Sequence, residues 1–473
     1  MKRNILLLLL LSALLPVSSC KKFLEEQSQT DIIPKSASSL NELLIGAAYT
    51  SNGGVDATLR LLDDNIAEEK FFLTNDMFPA YTWQPQTAGK PDKVAGSMIW
   101  LSLYPMILGC NSVLEYAPKV TGTTAEKENV EGQAYLLRAF YYYQLVNLYG
   151  KPYSDRLSNP STDLGVPLML SADLSFEGKK RNTVAEVYQQ ILQDLDKGIL
   201  LMERSGKNNN VFRINHIAGY LLASRIYLQM GNWQKAIEAS TTVLNYKSDL
   251  MDLPNWGAPD QNNKPVIERQ NIESIWIYGP PSAAVFPSNS ENLNYRLSEN
   301  LMSAFENGDL RTSIYIKDRR SIKRPSIVFA KVGQSFRVAE ALLNRAEAYA
   351  QLNKLDQTGN GQLALNDLNT LRKKRFRPDA YQDLVVTDAD DLLQKCFEEK
   401  RRELFDEDCH RWFDLRRMGM PSINHVYYEN NVQTAVYTLQ ERDPAYVLQI
   451  PKTAMERNPN LIPNPDPALR KGH

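Results

Sequence analysis

The apolar positions divide the chain into long helical stretches separated by irregular ones. Over 133–149 (QAYLLRAFYYYQLVNLY), Leu137, Phe140, Tyr141, Leu145 and Leu148 recur at steps of three or four. That spacing predicts a helix with one broad apolar face, ended by Gly150 and Pro152. Thr183 and Glu186 stand three apart as a capping box, opening a predicted helix that carries Val187, Ile191, Leu195 and Ile199 on one side. Two further stretches, AGYLLASRIYLQMGNWQKAIEASTTVL from Ala218 and EALLNRAEAYAQLNKLDQTGNGQLALNDLNTLR from Glu340, each read as two helices folded back on one another. Over 391–417 an amphipathic helix runs into a highly charged turn, and Ser274 to Tyr278 reads as a short strand.

In both helical hairpins, small residues fall where two helices must approach closely: Ala223 and Ala236 in the first, Ala346 and Ala364 in the second. Their layout resembles tetratricopeptide units of irregular period. Two segments depart from this pattern. The stretch 51–93 carries Gly53-Gly54, Pro79, Pro85 and Pro91, and 250–328 is broken by prolines from Pro254 to Pro287. Loops of this length inside a compact domain are usually functional or disordered.

The first twenty residues read as an address and an anchor. Lys2 and Arg3 precede an apolar run over 5–15, the layout of a secretory signal. At about 1.5 Å per residue this run is too short to cross roughly 30 Å of hydrocarbon. Val17-Ser18-Ser19-Cys20 looks like a bacterial lipobox, which predicts cleavage before a lipidated Cys20. Each buried methylene contributes about 0.8 kcal/mol, so several acyl chains hold a protein on a membrane without a spanning helix.

The chain has 473 residues, 54 Lys+Arg against 55 Asp+Glu. The net charge of −1, falling to −3 when Lys2 and Arg3 leave with the signal peptide, gives no pull toward polyphosphate and argues against nucleic acid as a partner. Three cysteines then remain, Cys110, Cys396 and Cys409, too few and too odd for a disulfide framework. Cys396 sits on the apolar side of its helix. Cys409 and His410 are adjacent, which points them about 100° apart on a helix and away from a nucleophile–base pair. The alternating charges around Glu398, Glu399 and Arg402 read as an ion-paired knot closing the fold, not as an acid/base pair. With four histidines and no metal-ligand spacing, the chain gives no sign of an enzyme or a resident cofactor. Structural calcium stays open, since neither excursion has calcium-loop spacing.

The blocks EGQAYLLRAFYYYQLVNLYGKPY (131–153), RINHIAGYLLASRIYLQMGNWQKAIEAS (213–240), FRVAEALLNRAEAYAQL (336–352), EEKRRELFDEDCHRWFDLRRMGMP (398–421) and LQIPKTAMERNPNLIPNP (448–465) follow the lipobox. In this order they resemble the SusD/RagB family of Bacteroidetes outer-membrane lipoproteins. The likeness implies a mostly α fold: a frame of tetratricopeptide-like hairpins with irregular, ligand-facing insertions over about 51–93 and 250–328 that contain a few short strands. Residues 1–19 are then a signal peptide, 20–40 a lipidated tether and 41–473 one domain. The implied protein is surface-exposed, binds a glycan and passes it to a SusC-like TonB-dependent transporter. A RagB-like peptide receptor and a helical scaffold for protein partners are the alternatives. One departure is visible, Asp408 standing where the family commonly has Gly, which puts the local turn in question because Asp tolerates positive φ less readily.

A sugar offers apolar C–H patches and a rim of hydroxyls, so its receptor needs flat rings with amide and carboxylate neighbours. The surplus of Tyr, 23 against 15 Phe and 6 Trp, suits such a surface. In the first insertion the candidates are Tyr81 and Trp83 with Asp76; in the second they are Trp256, Phe286 and Tyr295 with Asn292, Asn294 and Arg296. Trp83 and Tyr295 rank first, because the resemblance draws platform residues from these two insertions. Trp100, Trp276 and Trp412 are expected in the core.

Overall fold

The computed structural model describes residues 33–49, 57–68, 77–86, 95–173, 178–256, 266–279, 295–323, 333–355, 359–429 and 432–473. The helices in chain order are α1 (Ala37–Ala47), α2 (Phe78–Tyr81), α3 (Ser97–Tyr116), α4 (Thr124–Tyr149), α5 (Val184–Ser205), α6 (His216–Gln229) and α7 (Trp233–Tyr246), then α8 (Glu299–Met302), α9 (Arg311–Ile314), α10 (Val338–Lys354), α11 (Asn360–Lys373), α12 (Ala389–Leu404), α13 (His410–Arg417) and α14 (Lys452–Arg457). The strands are β1 (Ile66–Glu68), β2 (Ser274–Tyr278), β3 (Tyr295–Leu297), β4 (Ile316–Lys317), β5 (Arg320–Ser321), β6 (Gln334–Arg337), β7 (Ile423–Glu429) and β8 (Val432–Leu439). Among the described residues they form four two-stranded antiparallel pairs: β1–β3, β2–β6, β4–β5 and β7–β8. The protein is thus mostly helical, with short strands in the excursions and at their junction with the frame, and a β7–β8 hairpin that belongs to neither excursion.

Helix α4 is the axis. It starts nine residues before the apolar run at 133, with Thr123 capping and Glu126 answering. Its first turns are polar and therefore silent in an apolar count. From Val130 on, almost every side chain is buried, because helices pack on it from several sides. Against α5 the approach is set by glycines. A Cβ on Gly132 would lie 3.1 Å from the Gly198 carbonyl, and one on Gly198 only 2.8 Å from the Leu136 side chain, so the two backbones cross where neither carries a side chain. Close by, Arg138 donates two bonds to Asp194, at 2.7 and 2.6 Å.

The capping box at Thr183 and Glu186 forms, the two expected hairpins are α6–α7 and α10–α11, and the expected strand is β2. The stretch 391–417 divides into α12 and α13. Trp100, Trp276 and Trp412 are buried, and Cys110, Cys396 and Cys409 are free thiols. The boundary at residue 41 is corrected: Ser36 caps α1, whose Leu40 and Leu44 are in the core, so the ordered body begins inside the stretch expected to be tether.

The charged segment closes the fold as an ion-paired knot, buried at Glu399, Arg402, Glu403 and Glu407, while Glu398 stays half-buried and pairs with Lys395. Glu403, on α12, accepts from Arg375 (2.9 and 3.0 Å), Arg337 (3.0 Å), Arg311 (3.1 Å) and the Tyr315 hydroxyl (3.2 Å). Arg337 also donates to Glu407 and Glu273. Lys323 donates to Glu407 at 2.7 Å and to the Glu403 carbonyl at 2.6 Å. Burial pushes the Glu403 carboxyl up, and the Arg375 and Arg337 guanidiniums more than reverse this, leaving it well below the usual range. Lys323 is lowered by burial to about 8, with Glu407 opposing. Because Glu273, Arg311 and Lys323 belong to the second excursion and Glu403, Glu407 and Arg375 to the frame, the knot fixes the base of that excursion to the helices.

Asp408 keeps the turn that glycine would favour. Its φ is +49°, flanked by Asp406 at +58° and Cys409 at +59°. Asp adopts this left-handed region at a modest cost. Its carboxylate accepts from Arg225 of α6 and from the Tyr278 hydroxyl, and its backbone N–H donates to Gln334 at 2.8 Å. Arg225 is held from the other side by Glu340 at 2.6 Å. Three of the sequence blocks therefore meet at one buried arginine.

Candidate functional site

The two excursions converge. Strand β1 ends the first described part of one and β3 opens the last part of the other. They pair in the register Ile66 with Leu297, Ala67 with Arg296 and Glu68 with Tyr295. Glu68 and Tyr295 are thus opposite one another at one end of this short pair.

Beside that edge lies a run of aromatic rings. Pro79 in the first turn of α2 fixes the chain direction, and Trp83 reverses it at φ +50°, a conformation that costs a bulky residue about 1–3 kcal/mol and requires firm packing. That packing is visible. The Trp83 indole donates to the Leu62 carbonyl at 3.1 Å and stacks on His425 of β7 with centroids 4.2 Å apart. His425 stacks equally close, 4.2 Å, on Tyr81. The imidazole is thus a filling between two rings, with Nδ1 2.7 Å from the Tyr81 carbonyl and Nε2 3.0 Å from the Asp63 carbonyl. Burial lowers His425 to about 4 against the pull of those two carbonyls. The Tyr81 hydroxyl accepts from the Glu68 N–H (2.8 Å) and donates to the Val426 carbonyl (3.1 Å). The Glu68 carboxylate accepts from the Tyr428 N–H at 2.8 Å, which ties β1, α2 and β7 together.

Three of the sequence-predicted platform residues are consequently corrected. Tyr81, Trp83 and Tyr295 are brought together as a cluster, the Tyr81 and Tyr295 rings 5.1 Å apart, but their exposures are 0, 3 and 3%. A short insertion has no core of its own, so its large rings anchor it on the frame and their faces are spent inside. Trp256 is half-buried at the rim of the same cluster. Arg296 is half-buried and donates to the Tyr295 carbonyl at 3.1 Å. Asp76, Phe286, Asn292 and Asn294 lie outside the described residues, as does Cys20.

The rings left accessible here are ones that the sequence reading passed over. Phe78, Tyr427 and Tyr437 are each half-buried and meet edge to face, with centroids 5.0, 5.5 and 6.1 Å apart. Phe78 opens α2, and the two tyrosines are diagonal neighbours across the β7–β8 hairpin, Tyr427 opposite Ala435 and Tyr437 opposite His425. Burial raises both phenols above their usual range, so at neutral pH each keeps its proton and can donate. The signal that could have found them is the alternation INHVYYE and VQTAVYTL around Asn430-Asn431, a hairpin pattern. Together the trio offers ring faces and edges for apolar C–H groups and hydroxyls for a polar rim. Among the described residues no group of three or more His, Cys, Asp or Glu side chains is arranged to hold a metal ion.

Comparison with known proteins places this geometry in context. Residues 22–228 match a family model described as starch-binding and associating with the outer membrane, and residues 329–466 match the SusD family model. SusD-like protein P2 of Formosa agariphila is 23% identical over 426 residues, covering 78% of this chain and 80% of that one. SusD-like protein P38 of the same organism is 23% identical over 487 residues, covering 86 and 90%. Among solved structures, a SusD superfamily protein of Bacteroides thetaiotaomicron superposes with a TM-score of 0.70 at 20% identity, covering 91% of this chain and 100% of that one. A SusD-like carbohydrate binding protein of Bacteroides vulgatus gives 0.70 at 21%, covering 90 and 97%. At these identities the superpositions speak to the fold.

Proposed function

The chain belongs to the SusD/RagB family, and from that premise we propose that it is a cell-surface lipoprotein, anchored in the outer membrane through Cys20, that captures an oligosaccharide and delivers it to a SusC-like TonB-dependent transporter. The observation that carries the reading is the convergence of the two excursions in the β1–β3 pair, beside the half-exposed rings of Phe78, Tyr427 and Tyr437. A frame locked by a buried ionic knot holds this edge still, so little ordering entropy is lost when a stiff sugar docks. The family model that matches the first half is described as starch-binding, and one structural neighbour bears a carbohydrate-binding name; both support a glycan over a peptide. The chemistry proposed is capture without bond cleavage.

The test is a glycan array probed with the soluble protein lacking residues 1–20. Signals expected on the array weaken in the Phe78→Ala/Tyr427→Ala double variant. A blank glycan array together with binding on a peptide array would replace this function with peptide capture.

A further inference from the structure

A second site is built into the frame, apart from the aromatic edge; its loop 207–213 is tied to β2, the Val211 carbonyl accepting from the Ile277 N–H at 2.7 Å. Helix α1, the N-terminal turns of α4 and the loop 207–213 border an open cleft of about 660 Å³, within the size range of small-molecule sites. Its walls carry Asn41, Asn129, Gln133, Asn208, Asn210 and Arg213, a concentration of side-chain amides. Part of this wall is held in place from beneath. Gln133, 1% exposed, accepts from the Tyr49 hydroxyl at 2.7 Å and from Arg213 at 2.9 Å. It donates to the Asn129 side chain at 2.7 Å. Arg213 donates to Asn41 Oδ1 at 2.6 Å and lies 4.3 Å over the Tyr49 ring. This network orients Gln133, Asn129 and Asn41, while Asn208 and Asn210 stand exposed beside it on the loop. Among the described residues, no hydrogen bond is made by Asn41 Nδ2, by the Asn208 side chain or by Asn210 Nδ2.

We infer that this cleft is a second saccharide site, distinct from the aromatic edge. Carboxamides both donate and accept, which matches the vicinal hydroxyls of a sugar, groups that also do both. Carboxamides held by a buried network bind with little ordering cost. Ile45, 49% exposed on the same wall, supplies an apolar patch for a ring's C–H face. An extended peptide would need a series of apolar anchor pockets, and the cleft offers one exposed aliphatic side chain. Glu126, Lys207 and Arg213 also line the cleft and leave it a small positive excess, with Glu126 engaged in the α4 cap and Arg213 bonded to the neutral amides of Gln133 and Asn41.

The site adds to the proposed glycan capture, and the experiment separates the two. The probe is a defined glycan array followed by titration calorimetry with the strongest array glycan, on the protein lacking residues 1–20. The Asn41→Ala/Asn208→Ala variant should weaken part of the binding at least about tenfold and lower the stoichiometry, with the melting temperature unchanged. Tyr427→Ala should leave that part intact. Asn208→Ala alone, at an exposed position, gives a smaller loss in the same part and keeps the test readable if the double variant folds poorly. Binding that vanishes in Tyr427→Ala and is untouched in the cleft variants overturns the second site alone. A blank array for the wild type overturns both sites, and peptide binding that depends on Asn208 overturns the saccharide assignment.

Discussion

The imidazole of His425 stacks on the indole of Trp83, their centroids 4.2 Å apart and their planes 24° from parallel. One face of the indole is thereby occupied from within, and its N–H is committed to the Leu62 carbonyl. Trp83→Ala is therefore expected to act on stability, costing about 3–5 kcal/mol as large-to-small core changes do. Urea unfolding measures it. If a folded Trp83→Ala protein keeps the wild-type midpoint and still loses glycan, the ring is a ligand platform after all.

Tyr427 and Phe78 should behave in the opposite way. Both are half-buried, and each ring packs on others only by an edge contact. Alanine at either position is expected to weaken oligosaccharide binding by about 0.5–3 kcal/mol, the range for aromatic pairs and stacked rings. The cost in stability should be under about half that of Trp83→Ala. Calorimetry and thermal unfolding on the same samples separate the two quantities. Unchanged affinity in the Phe78→Ala/Tyr427→Ala double variant would remove this edge as the glycan site.

How far the sequence carried can be seen residue by residue. The frame was legible because helix burial writes a period of 3.6 into the chain, as at Leu137, Phe140, Tyr141, Leu145 and Leu148, and because capping at Thr183 is a local rule. The ionic knot was legible as a knot, from alternating charge around Arg402, though not its partners: Glu273, Arg311 and Arg375 are over a hundred or only some tens of residues distant and carry no local mark of the contact. The site was half legible. Aromatics in irregular segments did cluster at Tyr81, Trp83 and Tyr295, but an aromatic that anchors a loop and one that grips a ligand look alike in one dimension. Only the packing of His425 between two of them distinguishes the roles.

Asp408 tests whether the departure from glycine is compensated. Replacing it by alanine keeps a left-handed non-glycine residue and leaves Arg225 with Glu340 alone, which should cost about 3–5 kcal/mol, as breaking a buried pair does. Glycine at 408 loses the same ion pair but relieves the φ of +49°, so Asp408→Gly should be milder than Asp408→Ala by about 1–2 kcal/mol. Denaturant midpoints for the two variants check the order. Equal midpoints would mean that the turn carries no backbone strain.

The anchor makes a prediction of its own. Cys20→Ser removes the thiol that an acyl chain would modify, so the protein should leave the membrane fraction and lose metabolic labelling with palmitate. Labelling that persists in Cys20→Ser would show that the attachment lies elsewhere.

The knot predicts how acid acts on the fold. Glu403 is fully buried, and its carboxyl is held below its usual value near 4.5, the Arg375 and Arg337 guanidiniums outweighing the effect of burial. A carboxyl depressed in the folded state stabilises it at pH above the unfolded value, and this contribution is lost as pH falls through the folded value. Glu403→Gln removes the charge while keeping the shape, leaving three guanidiniums short of one carboxylate, and should cost about 3–5 kcal/mol at pH 7. Between pH 7 and 5 the gap to wild type should stay constant. Below about 4.5 it should narrow, by about 1.4 kcal/mol per pH unit, because the unfolded wild-type chain then takes a proton that the folded carboxyl, held well below its usual range, does not. Urea unfolding at pH 7, 5 and 3.5 reads this directly. A gap that persists undiminished at pH 3.5 would show that Glu403 contributes through packing and not through its charge, and the base of the second excursion would then be held by shape alone.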